Sequence, residues 1–192
     1  MLEAGGRNTG IKTRMPGMLP FQGPATNWAF ETVPQRGLNG RRGYQPRGKG
    51  LGGSSAINAM LYVRGHARDY DEWRDLGCPG WGWDEMLPWF RRSERNVRGA
   101  DAFHGDSGPL WVSDQLYAHG GSEAFVEAAG ALQIPRNDDF NGAHQSGAGL
   151  YQVTQRSGER WTAARAYLER RESLEIITEA SVERVLFEDG RV

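Results

Sequence analysis

The sequence predicts a mixed α/β fold, and three observations carry that expectation. A glycine-dense loop, Pro46-Arg47-Gly48-Lys49-Gly50-Leu51-Gly52-Gly53-Ser54-Ser55, leads into Ala56-Ile57-Asn58-Ala59-Met60-Leu61, which reads as a helix that Gly65 stops. Short aromatic and β-branched runs alternate with stretches of helical spacing through the rest of the chain. At the start, Leu2-Glu3-Ala4-Gly5-Gly6 reads as the last residues of a buried strand that ends in an acid.

Taken in order, residues 7 to 45 are poor in regular structure, because Pro16, Pro20, Pro24 and Pro34 punctuate them, with Gly17, Gly23, Gly37, Gly40 and Gly43. Within them Asn27 to Gln35 is expected to form one short strand. After the loop and its helix, Asp69 is expected as the N-cap of a helix that Gly77 ends. Trp81 to Asp84 should start another helix, Glu85 to about Glu94, with 95 to 108 as loop and Gly108 to Ser113 as strand. Ser122 is the expected cap of a helix reaching Gln133, with Phe125, Val126, Ala129 and Leu132 on one face. Gly149 to Gln155 alternates as a strand and Ser157-Gly158 makes a turn. Thr162 should cap Ala163 to Arg171, followed by a buried strand, Leu174 to Thr178. Val182 to Phe187, Glu188-Asp189-Gly190 and Arg191-Val192 read as a hairpin.

Composition narrows the function. The 192 residues suffice for one substantial domain or two small ones. A net charge of −1, from 23 basic and 24 acidic residues, offers no electrostatic case for nucleic acid or an anionic membrane. No apolar run is long enough to span a membrane. A single Cys78 excludes an internal disulfide. His66, His104, His119 and His144 show no metal-ligand spacing, so no metal site is expected, and each reads as a solvent-facing or capping residue. Ser54 and Ser55 do not sit in a hydrolase elbow.

The loop carries the chemistry. Four glycines in the six positions from Gly48 to Gly53 let a rigid ligand approach the backbone closely. A helix start behind them would aim unpaired N–H groups at a phosphate, as a nucleotide cofactor site does. Gly48, Gly50 and Gly53 also spell a literal G-x-G-x-x-G. The dinucleotide fingerprint needs a buried strand before it, however, and Asn39 to Arg47 is no such strand. A structural glycine turn with no ligand is the other alternative.

The run from Tyr44 to Gly65, continuing through Asp69-Tyr70-Asp71-Glu72-Trp73, resembles the first signature of the glucose–methanol–choline (GMC) oxidoreductases. It is most similar to their choline dehydrogenase and alcohol dehydrogenase branch. The resemblance implies part of an FAD-binding, Rossmann-like domain of GMC type together with part of a substrate-binding domain. Residues 1–114 would then be mainly FAD-binding and cofactor-covering, 115–161 part of the substrate-binding cap, and 162–192 a return to the FAD-binding domain. The whole of 1–192 would be a fragment, with the true G-x-G-x-x-G upstream and the rest of the substrate domain downstream.

Residue by residue, the resemblance implies that Glu3 binds the adenosine ribose hydroxyls. Gly50, Gly52, Gly53, Ser54, Asn58, Ala59, Met60 and Leu61 would lie against the flavin and pyrophosphate, and Val182 would contact adenine through its backbone. Where some members carry a flavin-linked His, this chain has Ile57, so non-covalent FAD is expected. No catalytic residue is expected here, because the family's proton-removing His lies near the C-terminus. The implied activity is oxidation of an alcohol or choline-like substrate to the aldehyde, with hydride passing to the flavin. The substrate is a small-molecule alcohol and the electron acceptor stays unassigned. A cytoplasmic location is expected, with peripheral membrane association and an upstream targeting signal both left open. The alternative is a non-catalytic remnant or folding module that binds no cofactor.

Overall fold

A computed structural model describes residues 1–169, 171–188 and 190–191. In chain order its helices are α1 (Ile11–Arg14), α2 (Ala67–Asp75), α3 (Trp83–Ser93), α4 (Gly120–Ala131) and α5 (Ala163–Tyr167). Its strands are β1 (Phe30–Glu31), β2 (Tyr44–Gln45), β3 (Glu94–Asn96), β4 (Leu110–Val112), β5 (Gln155–Arg156) and β6 (Glu159–Arg160). Helix and strand are mixed as expected. The chain forms two compact units, Met1–Ala59 with Thr162–Val192, and Met60–Trp161.

The first unit is loop-rich. Antiparallel β1 and β2 pair Phe30 with Gln45 and Glu31 with Tyr44, and β1 takes up two residues of the strand expected over Asn27–Gln35. Thr162 caps α5 by accepting from the Arg165 N–H at 3.2 Å, as its position implied. The amino-terminal residues run parallel to the segment around Ile177: the Glu3 N–H donates to Ile177 O and the Ile177 N–H donates to Met1 O, both at 3.0 Å. Two expectations fail here. Leu2, Leu174 and Ile177 are exposed rather than buried, and residues 174–178 form only the isolated bridge of Ile177 with Leu2 instead of a strand. Val182 to Phe187 forms no strand. Arg170 of the expected helix and Asp189 and Val192 of the expected hairpin lie outside the described residues.

The helix expected over Ala56–Leu61 is absent. Gly53–Ala56 forms one 3-10 turn, and Ile57 leaves helical geometry with φ −131°. Burial of Ala56, Ile57 and Met60 mimics a helical face, which is why the spacing misleads. Extended pairing wins instead: the Thr154 N–H donates to Met60 O at 2.8 Å, and the Tyr62 N–H donates to Gln152 O at 2.9 Å. Met60 turns the chain with a left-handed φ of 64°, a conformation no helix interior contains.

The second unit has the larger apolar core, built on Tyr70, Val112, Val126, Ala129 and Val153. Tyr70 on α2 lies 5.5 Å from the Trp83 ring and 5.6 Å from Phe90 on α3, which clamps the two helices together. Helix α2 starts one turn earlier than Asp69 suggested. His66 is the N-cap, accepting from the Arg68 N–H at 3.2 Å, while Asp69 closes a capping box on the His66 N–H at 2.8 Å. His119 likewise replaces Ser122 as the cap of α4, accepting from the Gly121 N–H at 3.0 Å. Helix α3 occupies almost its expected span. The expected 95–108 loop instead begins with β3, parallel to β4, and polar Glu94 and Asn96 are its buried residues. Ser157 and Gly158, with φ of 51° and 77°, turn the β5–β6 hairpin.

Candidate functional site

The glycine loop is a closed backbone cradle. The Gly48 N–H donates to Ser54 Oγ at 3.1 Å, and the Gly53 N–H donates to Gly50 O at 2.9 Å. Gly50 and Gly52 adopt φ of 109° and 92°, which L side chains rarely adopt, so their identity is conformational. Ser55 Oγ donates to Gly52 O and accepts the Ala163 N–H at 2.9 Å, tying the loop to the start of α5.

Glu3 meets this loop. Its Oε1 accepts from the Gly5 N–H at 2.8 Å and from the Gly50 N–H at 2.9 Å. Its Oε2 has no protein partner among the described residues. Gly5 allows this approach, because a Cβ there would sit 2.4 Å from the Gly50 nitrogen. A half-buried carboxylate with one oxygen fixed and one open can accept hydroxyl hydrogens from a diol. The N–H groups of Gly48, Lys49, Gly50, Leu51, Gly53 and Ser55 are all donated inside the protein, so the cradle offers close approach to a flat group rather than the row of unpaired N–H donors expected from the sequence.

Of the residues singled out from the sequence, Glu3, Gly50, Gly52, Gly53 and Ser54 come together here. Val182 is exposed and lies two residues beyond Ala180, whose N–H donates to Glu3 O at 2.9 Å. Asn58 and Ala59 follow the 3-10 turn in the same unit and are exposed. Met60 and Leu61 belong to the second unit, where Met60 is buried and Leu61 pairs with Val153. A cavity of about 410 Å³ in the first unit is walled by Asn8, Leu51, Thr162 and three arginines, Arg7, Arg14 and Arg165.

Asn8 escaped the sequence reading. It stands in the left-handed region with φ 54°, and its Nδ2 donates to Lys49 O and Leu51 O, both at 3.1 Å. Asn is one of the few residues that visits the left-handed region readily, but only the fold shows what its amide reaches.

The second unit holds a buried charge network that the sequence reading also missed. Glu94, fully buried, accepts from Arg64 Nη2 at 2.6 Å, Asn96 Nδ2 at 2.9 Å and the Gly105 N–H at 3.2 Å. His104 places Nδ1 3.0 Å from Glu94 Oε1 and Nε2 3.0 Å from Asp139 Oδ2. It is therefore neither solvent-facing nor a cap. The hydrogen bond to Glu94 raises its pKa above the ordinary histidine value, with burial opposing and the Asp139 hydrogen bond adding. A raised folded pKa means that this stabilisation is complete below about pH 6.5 and is lost as pH rises through the folded value. Amide exchange of residues 137–146 in the full-length protein should accordingly accelerate, beyond the intrinsic pH effect, as pH rises above about 6.5. His104→Gln should remove that excess; an excess that persists in the variant would refute the assignment. Among the described residues no cluster of three or more His, Cys, Asp or Glu side chains could hold a metal ion.

Comparison with known proteins shows what the chain is similar to. A family model described as GMC oxidoreductase matches residues 2–192. "Alcohol dehydrogenase [acceptor]" of Pseudomonas putida is 48% identical over 197 residues, covering 100% of this chain and 36% of the relative. "Oxygen-dependent choline dehydrogenase" of Rhizobium johnstonii is 40% identical, again over 100% of this chain and 36% of the relative. The crystal structure of pyridoxine 4-oxidase from "Mesorbium loti" superposes with a TM-score of 0.91 at 36% identity, over 97% of this chain and 38% of that one. An FAD-dependent oxidoreductase from Chaetomium thermophilum gives 0.82 at 31% identity, over 92% and 33%. The chain thus spans about a third of the length of the curated relatives it matches.

Proposed function

The chain belongs to the GMC oxidoreductase family, and from that membership we propose that it forms part of an FAD-dependent oxidoreductase acting on the CH–OH group of a small alcohol. The observation that carries the cofactor reading is Glu3, held by the Gly5 and Gly50 N–H groups with Oε2 open. That oxygen suits the adenosine ribose hydroxyls, because a carboxylate can accept from two hydroxyls at once. FAD, when bound, supplies the hydride acceptor. The chain's own residues bind and orient it. The Gly50–Ser54 backbone covers the pyrophosphate, Asn58 and Ala59 lie along the flavin, and Val182 offers its backbone to adenine; for Met60 and Leu61, in the second unit, a flavin contact is what the family resemblance implies.

Proton removal from the alcohol is assigned to residues outside this chain. His66 and His119 are engaged in helix caps, His104 is held between buried Glu94 and half-buried Asp139, and His144 is exposed. The domain expectation stands beside this as a proposal, with 1–114 and 162–192 serving the cofactor and 115–161 the substrate. Among the described residues no helix is long and apolar enough to cross a membrane.

The full-length protein tests the reading. It should purify with flavin absorbance that bleaches anaerobically on adding a primary alkanol or choline, and the better of the two names the substrate branch. Protein that stays colourless and takes up no added FAD would refute it. Attachment is proposed to be non-covalent, since Ile57, buried and without a nucleophilic atom, stands where some members carry a flavin-linked His. Acid precipitation should therefore release all flavin to the supernatant, and a fluorescent pellet would overturn that point.

A further inference from the structure

We propose that Asn8 is the residue that positions Glu3 for the cofactor, acting through the Lys49–Gly50 peptide; the inference rests on the FAD reading of this site. Lys49 O and the Gly50 N–H are opposite ends of one trans peptide plane, so fixing the direction of one fixes the other. Asn8 Nδ2 holds Lys49 O at 3.1 Å on one side, and Glu3 Oε1 receives the Gly50 N–H at 2.9 Å on the other. The same Nδ2 also holds Leu51 O at 3.1 Å, so the chain is gripped on both flanks of Gly50.

Gly50 has no side chain with which to brace this peptide. Its φ of 109° is open to glycine, and the clamp itself requires glycine, because a Cβ would lie 2.4 Å from Asn8 Nδ2. Asn8 is in turn fixed from behind. Its carbonyl accepts Thr13 Oγ1 at 2.6 Å, and Thr13 is buried. The result is a short mechanical chain, Thr13 to Asn8 to the Lys49–Gly50 peptide to Glu3 Oε1, which leaves Oε2 in one direction. A carboxylate that could swing would bind the same hydroxyls only after losing rotamer freedom, so the clamp pre-organises the ribose site.

The test uses apo full-length protein titrated with FAD and with FAD whose adenosine ribose lacks the 2′-hydroxyl. The parent should prefer FAD by about tenfold, the scale of one hydrogen bond to a charged group. Asn8→Gly tolerates the left-handed backbone and deletes the clamp, while Asn8→Asp keeps the size but cannot donate to two carbonyls. Both should lose most of the preference, weakening FAD about tenfold while changing the deoxy analogue less than about twofold. Variants that weaken both ligands equally, or neither, overturn the inference, whatever their melting temperatures. Glu3→Gln separates the two levels of failure. If it leaves the parent's binding of both ligands intact, the cofactor reading of the site has failed; if it alone abolishes the preference, only the role of Asn8 has.

Discussion

Arg64→Ala is expected to destabilise the Met60–Trp161 unit by about 3–5 kcal/mol, the cost of leaving a buried charge without its partner. Arg64 and Glu94 meet at 2.6 Å with side chains 2% and 0% exposed, so the variant leaves a buried carboxylate without its charged partner. Arg64 Nη1 also donates to Phe103 O at 2.7 Å, and the guanidinium lies 5.1 Å from the Phe90 ring centre, so packing is lost as well. His104 modulates the loss: while protonated it compensates Glu94 from the other side, so the penalty should be larger at pH 8.5 than at pH 6. Arg98→Ala is the matched control, because its ion pair with Asp114 is exposed on both sides and should be worth at most about 1 kcal/mol. Urea unfolding of the full-length protein, with amide exchange used to localise the change, measures both. Equal small effects for the two variants would show that the buried pair adds nothing.

That network also shows where sequence reading stops. The glycine cradle was legible because glycine density is a local pattern, whereas Glu3 was singled out through the family resemblance, the buried strand expected behind it being exposed at Leu2. His66 and His119 were recognisable as caps in kind, though not which helices they start, because each ring displaces an acid or serine a few residues downstream. His104 was not legible, since its meaning comes from Glu94 and Asp139, ten residues before it and thirty-five after. Strand β3 was hidden for the same reason: its buried residues, Glu94 and Asn96, are polar and paired, so hydrophobic alternation never registers. The false helix at Ala56–Leu61 is the converse case. There the local pattern was real, and pairing of residues 60–62 with 152–154 overrode it.

Gly48→Ala is expected to cost the first unit about 3 kcal/mol or more, beyond the usual range for overpacking, and to abolish FAD retention. A Cβ on Gly48 would lie 2.1 Å from Gly53 O, 2.2 Å from its carbonyl carbon and 2.5 Å from Ser54 N. All three are backbone atoms, so no side-chain rotation relieves the overlap. The loop itself must open, breaking the Gly48 N–H to Ser54 Oγ bond at 3.1 Å that closes it. Opening also displaces Gly50, two residues on, and with it the N–H that fixes Glu3. Stability and cofactor binding should therefore fall together. Gly37→Ala provides the contrast, because a Cβ there meets nothing within 4 Å. Thermal melts and FAD titration of the two full-length variants decide the matter. If Gly48→Ala melts and binds as Gly37→Ala does, the loop is not closed in solution, and the cradle cannot be what holds the cofactor.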